Sequence, residues 1–340
     1  MSSQSQNTRV RIGLLAASRI ATPAVVDPAA LIDGVEVTAV AARDLRRARE
    51  AAAGWNVPTA YGSYSELVAS DEVDAIYIGT PNSLHREWAI AAIEAGKHVL
   101  CEKPFAANAD DARRIADAAN VSDVVVMEAF HWRYHPYAQQ IRNVIDSGVL
   151  GTLQRIEAAF DVPPAIIPQG DIRWDLSIGG GATMDLGCYP INWVRFAAGA
   201  EPEVVSASAV CPVPGVDGSL TAELRWEGGL TGSIASSMIT DHDGLVSWLV
   251  VRGERGVMRA DKPLQPHVGN AVMTVETGDG VTSVTADAST TTYFHQLVAF
   301  RDAITLGKPF PSTADDGVRN MEVIDACYRA AGLDVRPSVD

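Results

Sequence analysis

The chain has few basic residues and no long apolar run. Its 340 residues include 27 Lys and Arg against 42 Asp and Glu, which gives a formal net charge of −15. Binding to nucleic acid depends on neutralising phosphates with Lys and Arg, so this balance argues against a nucleic-acid partner and favours a small molecule. No apolar stretch approaches the roughly 20 residues that a membrane helix requires, so no membrane partner is expected.

Metal and disulfide patterns are also missing. The four cysteines, Cys101, Cys188, Cys211 and Cys327, lie far apart without CxxC spacing, and the seven histidines form no HExxH pattern. These spacings predict neither a structural zinc site nor a disulfide scaffold, and we expect no metal site. Residues 1–8 are polar and lack the apolar segment of a secretory signal, so a disordered tail and a cytoplasmic location are expected.

The first part of the chain alternates short strands with helices. Apolar runs predict strands at 10–15, 35–41, 73–79, 97–101 and 124–127, and helical patterns lie at 44–53, 84–95 and 110–119. This alternation is typical of βαβ units, which build a doubly wound parallel sheet. Because a chain of this length suits two domains, we predict a nucleotide-binding domain at 9–130 and a second domain, for substrate and oligomerisation, at 131–340.

The second part is rich in strands separated by Gly, Pro and Asp turns. Strands are predicted at 153–160, 204–210, 221–226, 230–236, 248–252, 257–260, 272–275 and 281–285. Such a run indicates a mostly antiparallel sheet. Helices at 293–306 and 315–331 are expected to pack back near the first domain. One open face of the sheet would be a natural surface for a homodimer or homotetramer.

The turn after the first strand departs from the usual dinucleotide fingerprint. That fingerprint has three glycines, which let the pyrophosphate approach the backbone, whereas this chain has Ala16, Ser18 and Ala21. Taken alone, the turn fits an ordinary strand–turn–helix equally well. Its place at the start of an alternating domain favours the nucleotide. Candidate cofactor contacts in this region are Gly13, Ala16, Ser18, Arg19 and Ile20.

The end of the second strand bears on the choice between NAD and NADP. NAD sites place Asp or Glu there to bond the ribose 2′-hydroxyl, but this chain has Ala42 and Arg43. Ala42 removes the carboxylate that would repel a 2′-phosphate, and Arg43 can pair with that phosphate. We therefore predict NADP rather than NAD. The alternative is that Arg43 is a surface residue near a helix start.

Two further loops follow strands at the carboxyl edge of the predicted sheet, where ligands bind in such folds. One is residues 80–85 and the other begins at Glu102 and Lys103. The first loop also has a simple structural interpretation, since its Asn and Ser can cap the next helix. Candidate cofactor contacts from these loops are Thr80, Pro81, Asn82, Leu84, His85, Glu102, Lys103 and Pro104.

A glycine triplet at 179–181 precedes Asp185 and Tyr189. Hydride chemistry needs a base, and a nearby ammonium such as Lys103 lowers the pKa of a phenol. We predict Tyr189 as the acid–base group, with Lys103 lowering its pKa and Asp185 orienting Lys103 or the substrate. If residues 184–198 are helical, Asp185 and Tyr189 share one face, although Pro190 can kink that helix. The alternatives are a packing role for Tyr189 and a helix-dipole role for Asp185.

Together these motifs resemble the Gfo/Idh/MocA family of oxidoreductases. The resemblance rests on residues 80–85, on 95–104 with its Glu-Lys-Pro, and on 180–189. It implies an N-terminal Rossmann domain and a C-terminal α/β domain with a large, mostly antiparallel open sheet. It also implies that Lys103 lies beside the nicotinamide and the substrate hydroxyl. Many members have a histidine where this chain has Tyr189, which resembles the subgroup of glucose–fructose oxidoreductase, dihydrodiol dehydrogenases and NADP-linked D-xylose dehydrogenases.

The resemblance also implies substrate contacts and an activity. Arg173 and Trp174 would border the substrate, and Glu128 and Arg133 resemble the same subgroup. The alternatives are a surface salt bridge with Asp171 or Asp175 for Arg173 and core packing for Trp174. The implied function is NADP-dependent hydride transfer with a sugar or a cyclic trans-diol. A non-catalytic sensor of nucleotides or sugars is one alternative, although a sensor need not keep Lys103 and its partners. An imine or C–C double-bond reductase similar to biliverdin reductases is another.

Overall fold

The protein is described by a computed structural model that covers residues 9–339. This part of the chain forms a six-stranded parallel sheet, followed by an eight-stranded, mostly antiparallel sheet. The predicted fold class, a Rossmann sheet plus a second α/β domain with a large sheet, is confirmed. The predicted disordered tail at residues 1–8 lies outside the described residues.

The strands match the predicted positions closely, except that β3 was not predicted. They are β1 Val10–Leu15, β2 Val35–Ala41, β3 Thr59–Tyr61, β4 Ala75–Ile78, β5 His98–Cys101, β6 Val126–Glu128, β7 Leu153–Asp161, β8 Glu203–Val210, β9 Ser219–Arg225, β10 Thr231–Ser237, β11 Val246–Gly253, β12 Gly256–Asp261, β13 Val272–Thr277 and β14 Gly280–Thr285.

The helices include three that the sequence analysis did not predict: α1, α3 and α6. The α-helices are α1 Asp27–Ala29, α2 Leu45–Trp55, α3 Tyr64–Val68, α4 His85–Glu94, α5 Ala109–Asn120, α6 Pro136–Asp146, α7 Cys188–Ala198, α8 Thr292–Leu306 and α9 Ala314–Ala330. In the described residues, no helix is both long and apolar enough to cross a membrane.

The first sheet has the strand order β3-β2-β1-β4-β5-β6 and is covered on both faces. On one face, Leu14 and Tyr77 pack with Leu297 and Phe300 of α8. On the other face, Leu15 and neighbouring strand residues pack with α3, α4 and α5. Burial on both faces explains why these strands read as continuous apolar runs in the sequence. Helix α8 thus packs against the first sheet although it lies late in the chain, and the division at residue 130 stays a prediction.

The second sheet has the order β14-β13-β12-β11-β7-β10-β9-β8. Its strands alternate, with Ile156, Ala158 and Phe160 of β7 buried on the inner face beneath α7. The outer face carries half-buried and exposed side chains such as Trp248, which is 36% exposed. Strands β7 and β10 are the exception to the antiparallel pattern, because they pair in parallel. Residues 162–230, which contain the glycine triplet, form the connection between them.

A buried ion pair holds the glycine triplet in place. The guanidinium of Arg336 donates to Asp217 Oδ1 at 2.6 Å and to the carbonyl of Gly180 at 2.6 Å. Asp217 Oδ2 accepts from the amide and the hydroxyl of Thr183, at 2.7 and 2.6 Å. A Cβ added at Gly181 would lie 2.1 Å from Asp217 Oδ1, so only glycine fits there. This network fixes the start of the segment that contains Asp185.

We expect Asp217→Ala to destabilise the protein strongly, because it leaves the buried charge of Arg336 without a counter-ion. The expected loss in the free energy of unfolding is about 3–5 kcal/mol. The measurement is urea unfolding followed by circular dichroism. The matched control is Asp146→Ala, since Asp146 pairs with Arg142 but is 61% exposed. The control should cost no more than about 1 kcal/mol. Equal losses in the two variants would contradict the role given to the buried pair.

Candidate active site

A cavity of about 1000 Å³ lies between the carboxyl edge of the first sheet and the inner face of the second. The loops after β1, β2, β4 and β5 form its first half. The second half comes from the glycine triplet, the start of α7 and the segment at 160–173. Ligands bind at this edge of doubly wound sheets, so the cavity is the candidate active site.

The turn after β1 has features that fit a bound dinucleotide. Ala16 has φ +82°, the left-handed conformation that a glycine adopts freely and that strains an alanine. The hydroxyls of Ser18 and Thr80 are buried and find no hydrogen-bond partner within residues 9–339. Buried hydroxyls normally have a partner, and phosphate or ribose oxygens would supply one here. This half of the cavity could therefore hold a nucleotide cofactor.

Arginines gather where a 2′-phosphate would lie. Arg19, Ala42 and Arg43 line the cavity as predicted, and Arg47 from α2 lines it as well. Burial raises the pKa of the nearby Tyr64, and the positive charges of Arg43 and Arg47 oppose that rise. Arg47 was missed in the sequence, although it lies four residues after Arg43, close to the N-terminus of α2. Asp44 caps that helix by accepting from the amide of Arg47 at 2.9 Å.

Lys103 and Asp185 join the two halves of the cavity. Lys103 Nζ donates to Asp185 Oδ1 at 3.1 Å and to the Asp185 carbonyl at 2.7 Å, and Arg173 Nε donates to Asp185 Oδ2 at 2.6 Å. Burial is the largest single influence and works against the charge on Lys103, but Asp185, Cys188 and Glu102 together outweigh it and raise the pKa of the ammonium. Burial also works against the carboxylate, yet Lys103 and Arg173 hold the pKa of Asp185 below its usual value. All three groups are therefore charged across the neutral range.

The helix predicted at 184–198 begins as a wider turn. Thr183–Gly187 is π-helical and α7 follows from Cys188. A π-helical bond to the Asp185 carbonyl would come from residue 190, which is a proline and has no N–H. Lys103 donates to that carbonyl instead. The Cys188 thiol donates to the same carbonyl, with a sulfur–oxygen distance of 3.6 Å.

The hydroxyl of Tyr189 lies next to a histidine. This hydroxyl lies 3.1 Å from His131 Nε2, and Lys103 Nζ lies over the Tyr189 ring, 4.9 Å from the centroid. Burial raises the pKa of Tyr189 well above its ordinary value. The predicted lowering by Lys103 is not found, because the ammonium lies over the ring face and is engaged with Asp185. His131 also lines the cavity and was missed in the sequence.

The remaining predicted cofactor contacts divide into two groups. Those that line the cavity are Ala16, Ser18, Ile20, Thr80, Pro81, Asn82, Leu84, Glu102 and Lys103. Gly13, His85 and Pro104 do not line it, which corrects their assignment. A Cβ on Gly13 would lie 2.6 Å from the Leu67 side chain, so the glycine serves packing. The two ring nitrogens of His85 lie 3.0 Å from the carbonyls of Pro104 and Thr80, and the protonated nitrogen donates to one of them, so the ring packs between the two loops.

Among the predicted substrate contacts, only Arg173 lines the cavity. Trp174 lies beside it but packs on the core, with its indole N–H directed at the Ile167 carbonyl. Glu128 is fully buried, and burial first, then the charge of Asp316, raises its pKa well above the usual value. Arg133 pairs with Asp316. Glu128 and Arg133 thus belong to the core beneath α9, and their assignment as substrate contacts is not supported.

The site and the fold define a two-domain protein with a nucleotide-binding Rossmann half. The profile of an oxidoreductase family with an NAD-binding Rossmann fold, GFO_IDH_MocA, matches residues 10–130, and that of the GFO/IDH/MocA C-terminal domain matches residues 138–259. The chain belongs to the GFO/IDH/MocA family of oxidoreductases. The family predicted from the motifs is confirmed.

Several relatives of known activity are similar over much of the chain. D-xylose 1-dehydrogenase (NADP(+)) 2 of Haloferax volcanii is 33% identical over 94% of this chain and 96% of its own length. Trans-1,2-dihydrobenzene-1,2-diol dehydrogenase of Mus musculus is 35% identical over 68% of each chain. The 3-ketoreductase KijD10 of Actinomadura kijaniata, solved with NADP and TDP-benzene, is 28% identical with a TM-score of 0.85 over 96% of this chain and 99% of that one.

Proposed function

We propose that the protein is an NADP-dependent dehydrogenase that transfers a hydride between the cofactor and a hydroxyl on a ring, either a cyclic trans-diol or an aldose. The observation that carries the proposal is the meeting of Lys103, Asp185 and Tyr189 where the cofactor half of the cavity joins the second-domain half. A sensor that only binds ligand would not need these charged groups. They are costly to bury unless they serve a purpose or stabilise each other.

The choice of NADP rests on charge. Within residues 9–339, Arg43 and Arg47 form no side-chain ion pair, and the neighbouring position is Ala42 rather than a carboxylate. Two arginines offer bidentate donors to a 2′-phosphate. The relatives agree, since the xylose dehydrogenase is named for NADP(+) and KijD10 was solved with NADP.

The side chains of this protein would hold the substrate and move its proton. The cofactor supplies the hydride acceptor or donor. An ammonium has three N–H donors, and Lys103 uses two of them on Asp185, so one remains for the substrate oxygen. Asp185 keeps Lys103 charged and aimed, and Arg173 holds Asp185 from the other side. The Tyr189 hydroxyl would exchange the proton of the substrate hydroxyl.

The wall of the second half favours a substrate with an apolar face. Arg173 is already bound by Asp171 and Asp185, so it offers little to a phosphate. A cyclic trans-diol therefore fits this wall better than a phosphorylated or nucleotide-linked sugar, and an unmodified aldose ranks second. The apolar side chains that line this half are Phe160, Val162, Ile166, Ile167, Ile172, Leu186, Leu245 and Leu264.

Assembly and location stay predictions. The outer face of the second sheet, with Trp248 at its centre, is the surface on which a homodimer or homotetramer would form. The cytoplasm remains the expected compartment.

A substrate panel tests the function directly. Cyclic trans-diols, aldoses and polyols are incubated with NADP or NAD, and reduction of the nicotinamide is followed by absorbance. We expect turnover with NADP, greatest for the cyclic diols. Lys103→Met serves as the control and should lose about 10²–10⁴-fold in rate. Cofactor binding without turnover would favour the sensor, and turnover only of imine or enone acceptors with NADPH would favour the reductase alternative.

Arg43→Ala tests the cofactor preference. The variant should weaken NADP binding by roughly 1.5–3 kcal/mol, the range for a charged hydrogen bond, and leave NAD binding unchanged. Fluorescence titration with both cofactors gives the two affinities. Arg46→Ala is the matched control, because Arg46 lies only three residues after Arg43, in α2, but pairs with Glu50 at the surface. A parent protein that binds NAD as tightly as NADP would refute the preference.

Tyr189→Phe tests the phenol, because it keeps the ring and removes only the hydroxyl. We expect the rate to fall about 10²–10⁴-fold while the melting temperature changes little. Tyr137→Phe is the control, since Tyr137 is also buried but its hydroxyl donates to the carbonyl of Asp261 outside the cavity. If Tyr189→Phe turns over like the control, the hydroxyl has no part in proton transfer.

A further inference from the structure

His131 lies directly behind the Tyr189 hydroxyl. It opens the short turn His131–Tyr134 after β6, is 1% exposed, and lines the cavity. Its Nε2 lies 3.1 Å from the Tyr189 hydroxyl and its Nδ1 lies 2.7 Å from the Thr292 hydroxyl. The ring of Tyr293 packs against it with a centroid distance of 4.0 Å. Both ring nitrogens are thus engaged, and the imidazole is held in one orientation.

Tyr189 must lose its own proton to act as a base, and His131 is placed to accept that proton. A phenol acts as a base only if it has lost its proton or loses it during the reaction. Burial raises the pKa of Tyr189, so the phenolate is not present beforehand at neutral pH. Lys103, the nearest cation, lies over the ring face and donates to Asp185. The hydroxyl therefore needs an acceptor for its own proton at the moment it takes one from the substrate.

We propose that His131 is this acceptor, so that Tyr189 passes the substrate proton on to the imidazole. This proposal rests on the proposed function. In the oxidation, the substrate C–H bond breaks and its hydride goes to the nicotinamide. The substrate O–H proton goes to the Tyr189 oxygen, and the Tyr189 proton goes to His131 Nε2. The products are the carbonyl compound, NADPH and an imidazolium, and reduction reverses each transfer.

The groups around His131 keep its imidazole neutral, so it is able to accept a proton. Burial, followed by the positive charges of Lys103 and His267, lowers its pKa well below the ordinary value. None of the groups packed around it brings a negative charge. They are Tyr189 from α7, Thr292 and Tyr293 from α8, Lys103 from the loop after β5, and His267 from the segment after β12.

The hydrogen bonds also select a tautomer for the relay. If Nδ1 carries the proton and donates to Thr292, the lone pair of Nε2 faces the Tyr189 hydroxyl. Charge in the cavity stays balanced during the relay. Hydride transfer removes the positive charge of the nicotinamide as the imidazolium forms, so the total charge near Lys103 does not rise.

The first test is independent of turnover. Nitrogen-15 NMR of the protein labelled at histidine reports the tautomer and the charge of each imidazole, and the His131→Gln variant identifies the signal. We expect a neutral His131 at pH 7 with its proton on Nδ1, remaining neutral below pH 6.5. An imidazolium at pH 7, or a proton on Nε2, would overturn the relay.

The second test uses the pH dependence of oxidation. If a neutral imidazole is required, the parent rate should be level through the neutral range and fall only at a pH well below 6.5, because burial lowers the pKa of His131 below its ordinary value. A rate that climbs on the alkaline side instead would indicate titration of the phenol and would contradict the proposal. His131→Gln keeps an acceptor for Tyr189 but cannot bind a proton. It should lose about 10²–10⁴-fold in rate and the acidic ionisation, while NADP affinity stays within twofold.

The third test is chemical rescue. His131→Ala leaves space beside Tyr189, and added imidazole should restore part of the rate in proportion to its neutral form. His295→Gln is the matched control. His295 lies in α8 and forms a hydrogen bond with Thr290, but it does not contact Tyr189. A His131→Gln variant with the rate and pH profile of the parent would show that His131 only packs. A parent that oxidises no alcohol would defeat the proposed function instead, and the NMR result would still stand.

Discussion

The contact between Lys103 and Asp185 is the constraint around which the cavity is arranged. Moving charged side chains out of water costs several kcal/mol each unless they are paired. Lys103 comes from the first sheet and Asp185 from the turn that precedes α7, so their pairing links the two halves. Arg173 completes the arrangement from the opposite side. Because Asp185 lies between two cations, the carboxylate stays charged and Lys103 keeps one donor directed at the open cavity.

Local backbone chemistry prepares this contact. The Asp185 carbonyl belongs to the π-helical turn at Thr183–Gly187, and there it accepts from Lys103. Beneath the turn, Asp217 bonds Thr183 and Arg336. The buried pair of Asp217 and Arg336 thus supports the pair of Lys103 and Asp185, which faces the cavity. The pair of Arg336 and Asp217 positions the turn, and the pair of Lys103 and Asp185 supplies the charged groups of the cavity. Apolar side chains in place of either pair would remove the hydrogen-bond donors.

The sequence predicts some of these features well and others not at all. Hydrophobic periodicity and cap residues such as Asp44 depend on near neighbours, so the elements could be predicted closely. Lys103 could be chosen because it follows a strand that ends at the sheet edge, and Tyr189 because it lies four residues after Asp185 in the segment that follows the glycine triplet. The contact of His131 with Tyr189 depends on how the turn after β6 packs against α7, which no local pattern records. Glu128 was misassigned for the same reason, since a motif does not determine where its side chains point.

The parallel pairing of β7 with β10 has a consequence for how the protein folds. Residues 162–230 form the connection between these two strands, and they contain the glycine triplet and α7. Closing a long connection costs entropy that only the contacts of the paired strands can offset. The first sheet, by contrast, is built from short, consecutive βα units. The strands of the first sheet can therefore pair early. The half of the cavity that residues 162–230 form is complete only when β7 and β10 pair. A nascent chain would accordingly pair the strands of the first sheet early, but the face that α8 covers would stay exposed until residues 292–306 have been made.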